Sequence, residues 1–175
     1  MLIEKNKDYW YVLQTRSRFE KKCQEMLSAA GIPVFLPLQT KKKIWSDRIK
    51  EVSEPLFPGY IFVQYTESDR YKILNTPGIS RFVSFGGKYA AVHPKQMQAI
   101  EKVLDSGNTI EVINMDLVSG QEVHITSGPF KGHFARLIQH NGKGKLLLAV
   151  ESIGQGVLLE VGRTRVEETT QFSRN

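Results

Sequence analysis

The sequence predicts an α+β fold in two domains, an antiparallel sheet with helices on one face followed by a small β-barrel. Up to residue 106, segments with strand and helix periodicity alternate in the order β-α-β-β-α-β-α, which is typical of helices packed on one face of an antiparallel sheet. After residue 118, short apolar runs are separated by glycine turns, which is the pattern of a small barrel.

The first strand and the first helix are the clearest elements of the first domain. The segment 9–15 is rich in aromatic and β-branched residues, as strands are. Ser17 and Glu20 have the spacing of a capping box at the start of a helix. Cys23 and Leu27 belong to an apolar stripe of helical period that ends at Gly31. Cys23 is therefore expected to be buried filler without reactivity.

Periodicity and turn residues place the remaining elements. A strand over 32–45 is expected to turn at residues 46–48 into a partner strand over 49–53, which forms a hairpin with a basic tip. The first domain is completed by a strand at 60–65, a helix at 68–74, strands at 79–85 and 89–92, and a helix from Pro94. Strands of the second domain are expected at 121–126, 134–139, 146–150, 157–161 and 164–166. The domains are accordingly placed at 8–106 and 118–168, with a linker over 107–117.

The positive charge of the chain is concentrated in one segment. Residues 14–50 contain nine basic and three acidic residues, so this segment carries the whole formal charge of +6. Such a patch favours a polyanionic partner, nucleic acid before membrane, because no amphipathic apolar face accompanies it. The alternative from composition alone is a solvated basic surface.

Several classes of protein do not fit this sequence. The longest apolar runs are too short to span a bilayer, and the N-terminus lacks the apolar stretch of a signal peptide. A single cysteine agrees with a reducing compartment, so a cytoplasmic protein is expected. The four histidines have no metal-ligand spacing, and no phosphate loop or catalytic constellation can be identified. We therefore expect neither an enzyme nor a bound metal or other cofactor.

The stretch PLFPGYIFV, residues 55–63, sets aromatic side chains beside a rigid turn. Strand alternation places Tyr60 and Phe62 on one face and Ile61 and Val63 on the other. If helices cover the second face, the aromatic face is open, and Phe57 is expected to lean toward it. Three interpretations remain at this point: core aromatics, a base-stacking platform, or a surface for an apolar or amphipathic helix of a partner. The absence of Lys and Arg from 55–65 favours a protein partner over base stacking.

Two sets of motifs resemble one family of transcription factors. Trp10-Tyr11-Val12-Leu13, Phe57-Pro58-Gly59-Tyr60-Ile61-Phe62-Val63 and Phe82-Val83 resemble the N-terminal (NGN) domain of NusG elongation factors. Gly128-Pro129-Phe130-Lys131-Gly132, after Gly120-Gln121-Glu122-Val123, is similar to a KOW domain. The resemblance implies a ferredoxin-like (RNP-like) NGN domain, an SH3-like KOW barrel, and no enzymatic activity.

The same resemblance implies a role for particular residues. It implies that Phe57, Tyr60, Phe62 and Phe82 line an aromatic depression that binds the clamp helices of the RNA polymerase β′ subunit. It also implies contact with the non-template DNA strand through basic residues, namely Arg16, Arg18, Lys41, Lys42, Lys43 and Arg48. A factor with both contacts would suppress pausing or termination, and we expect it to be a monomer.

Some segments favour a specialised member of the family. Residues 52–58 and 81–86 resemble the RfaH-like and UpxY-like antiterminators, which act on particular long operons. Ile153 stands where NusG has a phenylalanine used toward Rho and the ribosome, which argues against Rho as a partner and leaves the ribosome open. A second hypothesis is an RNA-binding translation or ribosome-associated protein that uses the KOW barrel. It needs basic residues around Phe130, where Lys131 and Arg136 are the clear positives.

Overall fold

The computed structural model describes residues 9–106, 110–160 and 166–168. The described residues fall into two compact units, which divide between Pro94 and Lys95. The predicted domain start at Asp8 and residues 107–109 of the predicted linker lie outside the described part. None of the helices in the described part combines the length and the apolar character that crossing a membrane requires.

The first unit is an antiparallel sheet with helices, as predicted. Its elements are β1 Trp10–Thr15, α1 Glu20–Ala29, β2 Val34–Phe35, β3 Leu38–Trp45, β4 Arg48–Pro55, β5 Tyr60–Val63, α2 Arg70–Leu74, β6 Ile79–Phe82, β7 Ser84–Phe85, β8 Lys88–Tyr89 and β9 Ala91–Val92. The main sheet has the order β2-β5-β1-β6, and β9 also pairs with β1. All these pairings are antiparallel, with β1 at the centre.

The core on one face of this sheet is formed with α1. Cys23 and Leu27 of the helix belong to one buried cluster with Ile61 and Val63 of β5, which confirms both the helical stripe and the alternation predicted for β5. Burial raises the pKa of the Cys23 thiol, and a buried thiol with a raised pKa is unreactive at neutral pH.

The strand predicted over 32–45 is two strands in the structure. β2 ends at Phe35, and β3 begins at Leu38 after a break at Leu36-Pro37. β3 leaves the main sheet and pairs only with β4 as a separate two-stranded hairpin. A proline inside an apolar run marks such a break, because it lacks the N–H that a central strand needs.

The second unit contains α3 Pro94–Asp105 from Lys95 onward, together with six strands. These are β10 Glu111–Asn114, β11 Gly120–Ile125, β12 Phe134–His140, β13 Lys143–Val150, β14 Gln155–Glu160 and β15 Val166–Glu168. They form one antiparallel sheet in the order β10-β14-β13-β12-β11-β15. Of the strand predicted at 164–166, only Val166 lies within the described residues.

Part of the predicted linker is a strand of the second unit. Glu111–Asn114 forms β10, which pairs with β14 from Glu111 opposite Leu158 to Asn114 opposite Gln155. Residues 111–114 are therefore not a linker. The apolar residues Val112 and Ile113 are adjacent and do not alternate with polar ones, which explains why the sequence did not reveal this strand.

His133 is the one buried histidine among the described residues. Its pKa is lowered because burial disfavours the charged imidazolium, and the positive charges of Lys102 and Lys95 lower it further. Its Nδ1 atom has no hydrogen-bond partner among the described residues.

We expect the second unit to lose stability when the pH falls below about 6.5, the ordinary pKa of histidine. His133 then takes up a proton in the unfolded chain before it does so in the folded one, so the unfolded state is favoured. Urea titrations of the barrel amide NMR signals above and below this pH measure the effect. His133→Gln should reduce the pH dependence, whereas His124→Gln should leave it; an equal slope in both variants would contradict the assignment.

Candidate functional site

The turn before β5 is fixed by three hydrogen bonds. The Gly59 N–H donates to Glu20 Oε1 at 2.7 Å. The Gly59 carbonyl accepts from the Thr15 N–H at 2.8 Å, and the Tyr60 N–H donates to the Phe57 carbonyl at 3.2 Å. Gly59 has φ of +84°, a conformation that a side chain disfavours. The backbone that presents Tyr60 is therefore rigid.

Glu20 does not form the predicted capping box. α1 begins at Glu20, and the capping residue is Phe19, without a side-chain hydrogen bond to the helix end. The Glu20 side chain is buried and accepts instead from Gly59, 39 residues along the chain. The hydrogen bond to Gly59 is favoured over the capping box because a buried N–H without a partner costs more free energy than an exposed helix end, which water can solvate.

Replacing Glu20 should therefore loosen the turn. We expect Glu20→Ala to lower the free energy of unfolding of the first unit by about 1.5–3 kcal/mol, since it removes a charged hydrogen bond to a backbone N–H. Glu25 lies exposed on the same helix, and Glu25→Ala is expected to stay within about 0.5 kcal/mol of the parent. Urea unfolding followed by tryptophan fluorescence compares the two; similar losses would show that Glu20 acts through the helix rather than the turn.

Phe57 and Phe62 are buried, which corrects the expectation that Phe62 faces an open surface. Both are 0% exposed, and their rings meet edge to face with centroids 6.2 Å apart. Phe35 also contacts the Phe62 ring, at 6.4 Å between centroids. Phe57 does lie on the same side as Phe62, but both rings are buried there, so the expectation that it leans toward an open face is wrong. Side chains on both faces of β5 are thus buried at this point, which alternation alone cannot reveal.

Phe82 lies on the other face of the sheet, away from Phe62. Leu13 is directly opposite both Ile61 and Phe82, and residues directly opposite share a face. Phe82 therefore packs in the core beneath the helices, where it stacks on Tyr89 with ring centroids 4.6 Å apart. The predicted group of four aromatics is divided between two faces.

A polar row beside Tyr60 was not predicted. Gln14 is directly opposite both Tyr60 and Arg81, and the Arg81 Nε–H donates to Gln14 Oε1 at 2.9 Å. Tyr60 and Gln14 are half-buried, and Arg81 is exposed. The register of the strands would have predicted this row. Register is set by the pairing of two strands, so the pattern of a single strand does not show it.

Arg16 and Arg18 lie exposed in the loop between β1 and α1. The Arg16 N–H donates to the Gly78 carbonyl at 2.8 Å, and the Arg16 carbonyl accepts from Phe19 N–H at 3.1 Å. Arg18 has φ of +64°, which costs about 1–2 kcal/mol for a residue with a Cβ. The loop thus presents two guanidinium groups on a constrained backbone. Backbone strain of this kind is concentrated at functional sites.

The β3–β4 hairpin presents the other predicted basic residues. Lys41, Lys42, Lys43 and Arg48 are all exposed. Lys43 Nζ forms an ion pair with Glu54, and this hydrogen bond, with the charges of Lys41 and Lys21, lowers the pKa of the Glu54 carboxyl. The Lys21 ammonium donates to the Ser53 carbonyl at 2.7 Å, which attaches the base of the hairpin to α1.

The KOW-like motif forms the loop between β11 and β12. The ends of the loop are joined by a hydrogen bond from the Gly132 N–H to the Ile125 carbonyl, at 2.8 Å. Gly128 and Gly132 both have positive φ, of +84° and +87°. Phe130 is half-buried, and its neighbours Pro129 and Lys131 are exposed. The loop is thus a closed, stiff connection that the two glycines permit.

Comparisons with known proteins agree with this architecture. The family described as "Transcription termination factor nusG" matches residues 8–101. The transcription termination/antitermination protein NusG of Lactococcus lactis is 30% identical over 91% of this chain and 92% of its own length. NusG of Streptococcus pyogenes serotype M3 is 31% identical over 91% of this chain and 95% of its own.

A structural comparison supports the fold separately. A solved structure on domain interaction in Thermotoga maritima NusG covers 93% of this chain and 97% of its own, with a TM-score of 0.51 and 22% identity. That similarity agrees with the predicted α+β fold of an NGN domain followed by a KOW barrel. The chain belongs to the NusG family of transcription termination and antitermination factors, which are not enzymes.

Proposed function

We propose that this protein is a cytoplasmic, monomeric elongation factor that binds the β′ clamp helices of RNA polymerase and suppresses pausing or termination. The observation that carries the proposal is the rigid turn at Gly59, which presents the half-buried Tyr60 at the start of β5. A side chain presented by a backbone that is already fixed requires little further ordering of the chain on binding, which favours an interface hot spot. We assign this role to the NGN domain, residues 8–106, and we assign residues 118–168 to the KOW domain.

The buried aromatics take different parts in this proposal. Tyr60 is accessible in the structure and contacts the clamp helices directly. Phe57 and Phe62 are fully buried, so direct contact with a partner requires the side chains that cover them to move; in this structure they support the Tyr60 turn. Phe82, in the core beneath the helices, supports the sheet.

The basic residues supply the second contact of the proposal. Arg16 and Arg18 on the constrained loop, with Lys41, Lys42, Lys43 and Arg48 on the hairpin, bind the non-template DNA strand in the transcription bubble. All six side chains are exposed, as phosphate contacts require. Bridging the clamp and the bubble would stabilise the active polymerase without any chemical step.

We further propose that the factor serves particular operons, as the RfaH-like and UpxY-like members do. The support is the sequence of residues 52–58 and 81–86, together with Ile153 in place of the phenylalanine that NusG uses toward Rho and the ribosome. Rho is therefore not a proposed partner, and the ribosome is left to experiment.

Binding of Tyr60→Ala to purified RNA polymerase tests the proposal. We expect the variant to bind at least thirtyfold more weakly, which corresponds to about 2 kcal/mol for a hot-spot aromatic. Tyr71 on α2 is a matched control because it is 80% exposed, and Tyr71→Ala should retain full binding. Undiminished binding by a folded Tyr60→Ala would reject the site, and an equal loss in both variants would move it to another surface.

A further inference from the structure

The outer part of the β3–β4 hairpin, residues 40–51, is exposed on both faces. Its tip carries three large apolar side chains in water: Ile44 is 85%, Trp45 57% and Ile49 68% exposed. Exposed apolar clusters of this kind mark contact surfaces. A two-stranded ribbon without a covering layer is also marginally stable alone, which suggests that it is stabilised by what it binds.

The strand register divides this tip into two faces of different chemistry. Trp45 is directly opposite Arg48, and Lys43 is directly opposite Lys50, so these side chains share a face. We call it the cationic face; it consists of Lys41, Lys43, Trp45, Arg48 and Lys50. On the apolar face, Ile44 is opposite Ile49, and Lys42 is opposite Glu51. The indole therefore lies among the cations, and the two isoleucines do not.

The charges of the cationic face are not arranged to stabilise the free hairpin. Lys43 and Lys50 are directly opposite one another, and like charges at this spacing are destabilising. Between residues 40 and 51 this face has four basic residues and no acidic one; the carboxylate that binds Lys43 comes from Glu54, nearer the base. A partner with several negative charges would remove this repulsion.

We propose that the cationic face binds an unpaired nucleic-acid strand, in which Trp45 stacks on a base while Lys41, Arg48 and Lys50 contact phosphates. An aromatic ring among cations is the arrangement that binds single strands without sequence preference. In a duplex the faces of the bases are covered by stacking, so the indole gains this contact only from an unpaired strand. The proposal deepens, and rests on, the nucleic-acid contact proposed above.

Binding of the full chain to a fluorescently labelled oligothymidylate, measured by anisotropy at low salt, tests this site. Trp45→Ala is expected to weaken binding by about fivefold to a hundredfold, the range of one base stacked on an aromatic ring. The slope of log K against log salt should stay unchanged, because no charge is lost. Lys50→Gln should instead make this negative slope shallower by about 0.7, because one phosphate contact is lost.

A neighbouring residue on the apolar face provides a matched control. Ile44→Ala removes an exposed apolar side chain next to Trp45 and should bind within twofold of the parent. Equal losses for Ile44→Ala and Trp45→Ala, duplex binding as tight as single-strand binding, or no binding by the parent chain would each overturn the proposal.

The outcome is separable from that of the proposed function. Trp45→Ala should retain polymerase binding, which depends on Tyr60. If oligothymidylate binding does not depend on Trp45 but falls on charge reversal at Arg16 and Arg18, this site fails and the wider nucleic-acid contact stands. If neither change matters, both fail, and polymerase binding is still tested by Tyr60→Ala.

Discussion

Phe62→Ala is expected to destabilise the first unit by about 3–5 kcal/mol, the range found when a buried phenylalanine is truncated. Phe62 is 0% exposed, and its ring contacts Phe57 and Phe35. Truncation would remove these contacts and leave a cavity that a packed sheet fills only in part. Since whole domains are stable by about 5–15 kcal/mol, this loss is a large fraction of the total.

Urea unfolding with tryptophan fluorescence measures this loss. Phe85 is 64% exposed, so Phe85→Ala is the control and should stay within about 0.5 kcal/mol of the parent. A loss below about 1 kcal/mol for Phe62→Ala would contradict the buried position. The result also governs how binding data are read, because weaker polymerase binding by Phe62→Ala follows from unfolding as readily as from a lost contact. Tyr60 is therefore the residue on which the interface should be tested.

Local patterns predicted the elements whose determinants are near in sequence. The stripe through Cys23 and Leu27 has its period within a single helix, and Ile61 and Val63 alternate within a single strand. The exposed basic hairpin likewise follows from turn residues beside β-prone runs. In each case the residues that decide the structure lie within about ten positions of one another.

The features that sequence reasoning missed depend on distant partners. Phe82 is placed by its register with Leu13, and the pairing of β1 with β6 shifts between Gln14 and Thr15; an extra residue of this kind reverses which side chains face the core. Glu20 bonds to Gly59 instead of the nearby helix end. Neither the register shift nor the distant donor, the Gly59 N–H, leaves a periodic trace in the sequence. The division of the aromatic group between two faces could therefore not be anticipated.

Charge reversal of the β1–α1 loop, Arg16→Glu with Arg18→Glu, is expected to weaken binding to single-stranded DNA by tenfold or more at low salt. Two phosphate contacts are lost, so the negative slope of log K against log salt should become shallower by about 1.4. In addition, the two new carboxylates repel the strand. In transcription by purified polymerase on a template with an exposed bubble, the variant should suppress pausing less, in parallel with its weaker DNA binding. Unchanged pausing would remove the loop from the DNA contact.

The strained backbone of Arg18 allows this effect to be separated from stability. Arg18→Ala and Arg18→Gly both remove the guanidinium, so they should weaken DNA binding equally. Only glycine adopts φ of +64° without steric cost, and relief of about 1–2 kcal/mol of strain is offset in part by about 0.5–1 kcal/mol of chain entropy. Arg18→Gly should therefore unfold at equal or higher urea than Arg18→Ala. If Arg18→Gly is the less stable of the two, the loop is not strained, and Arg18 needs no functional reason to hold that conformation.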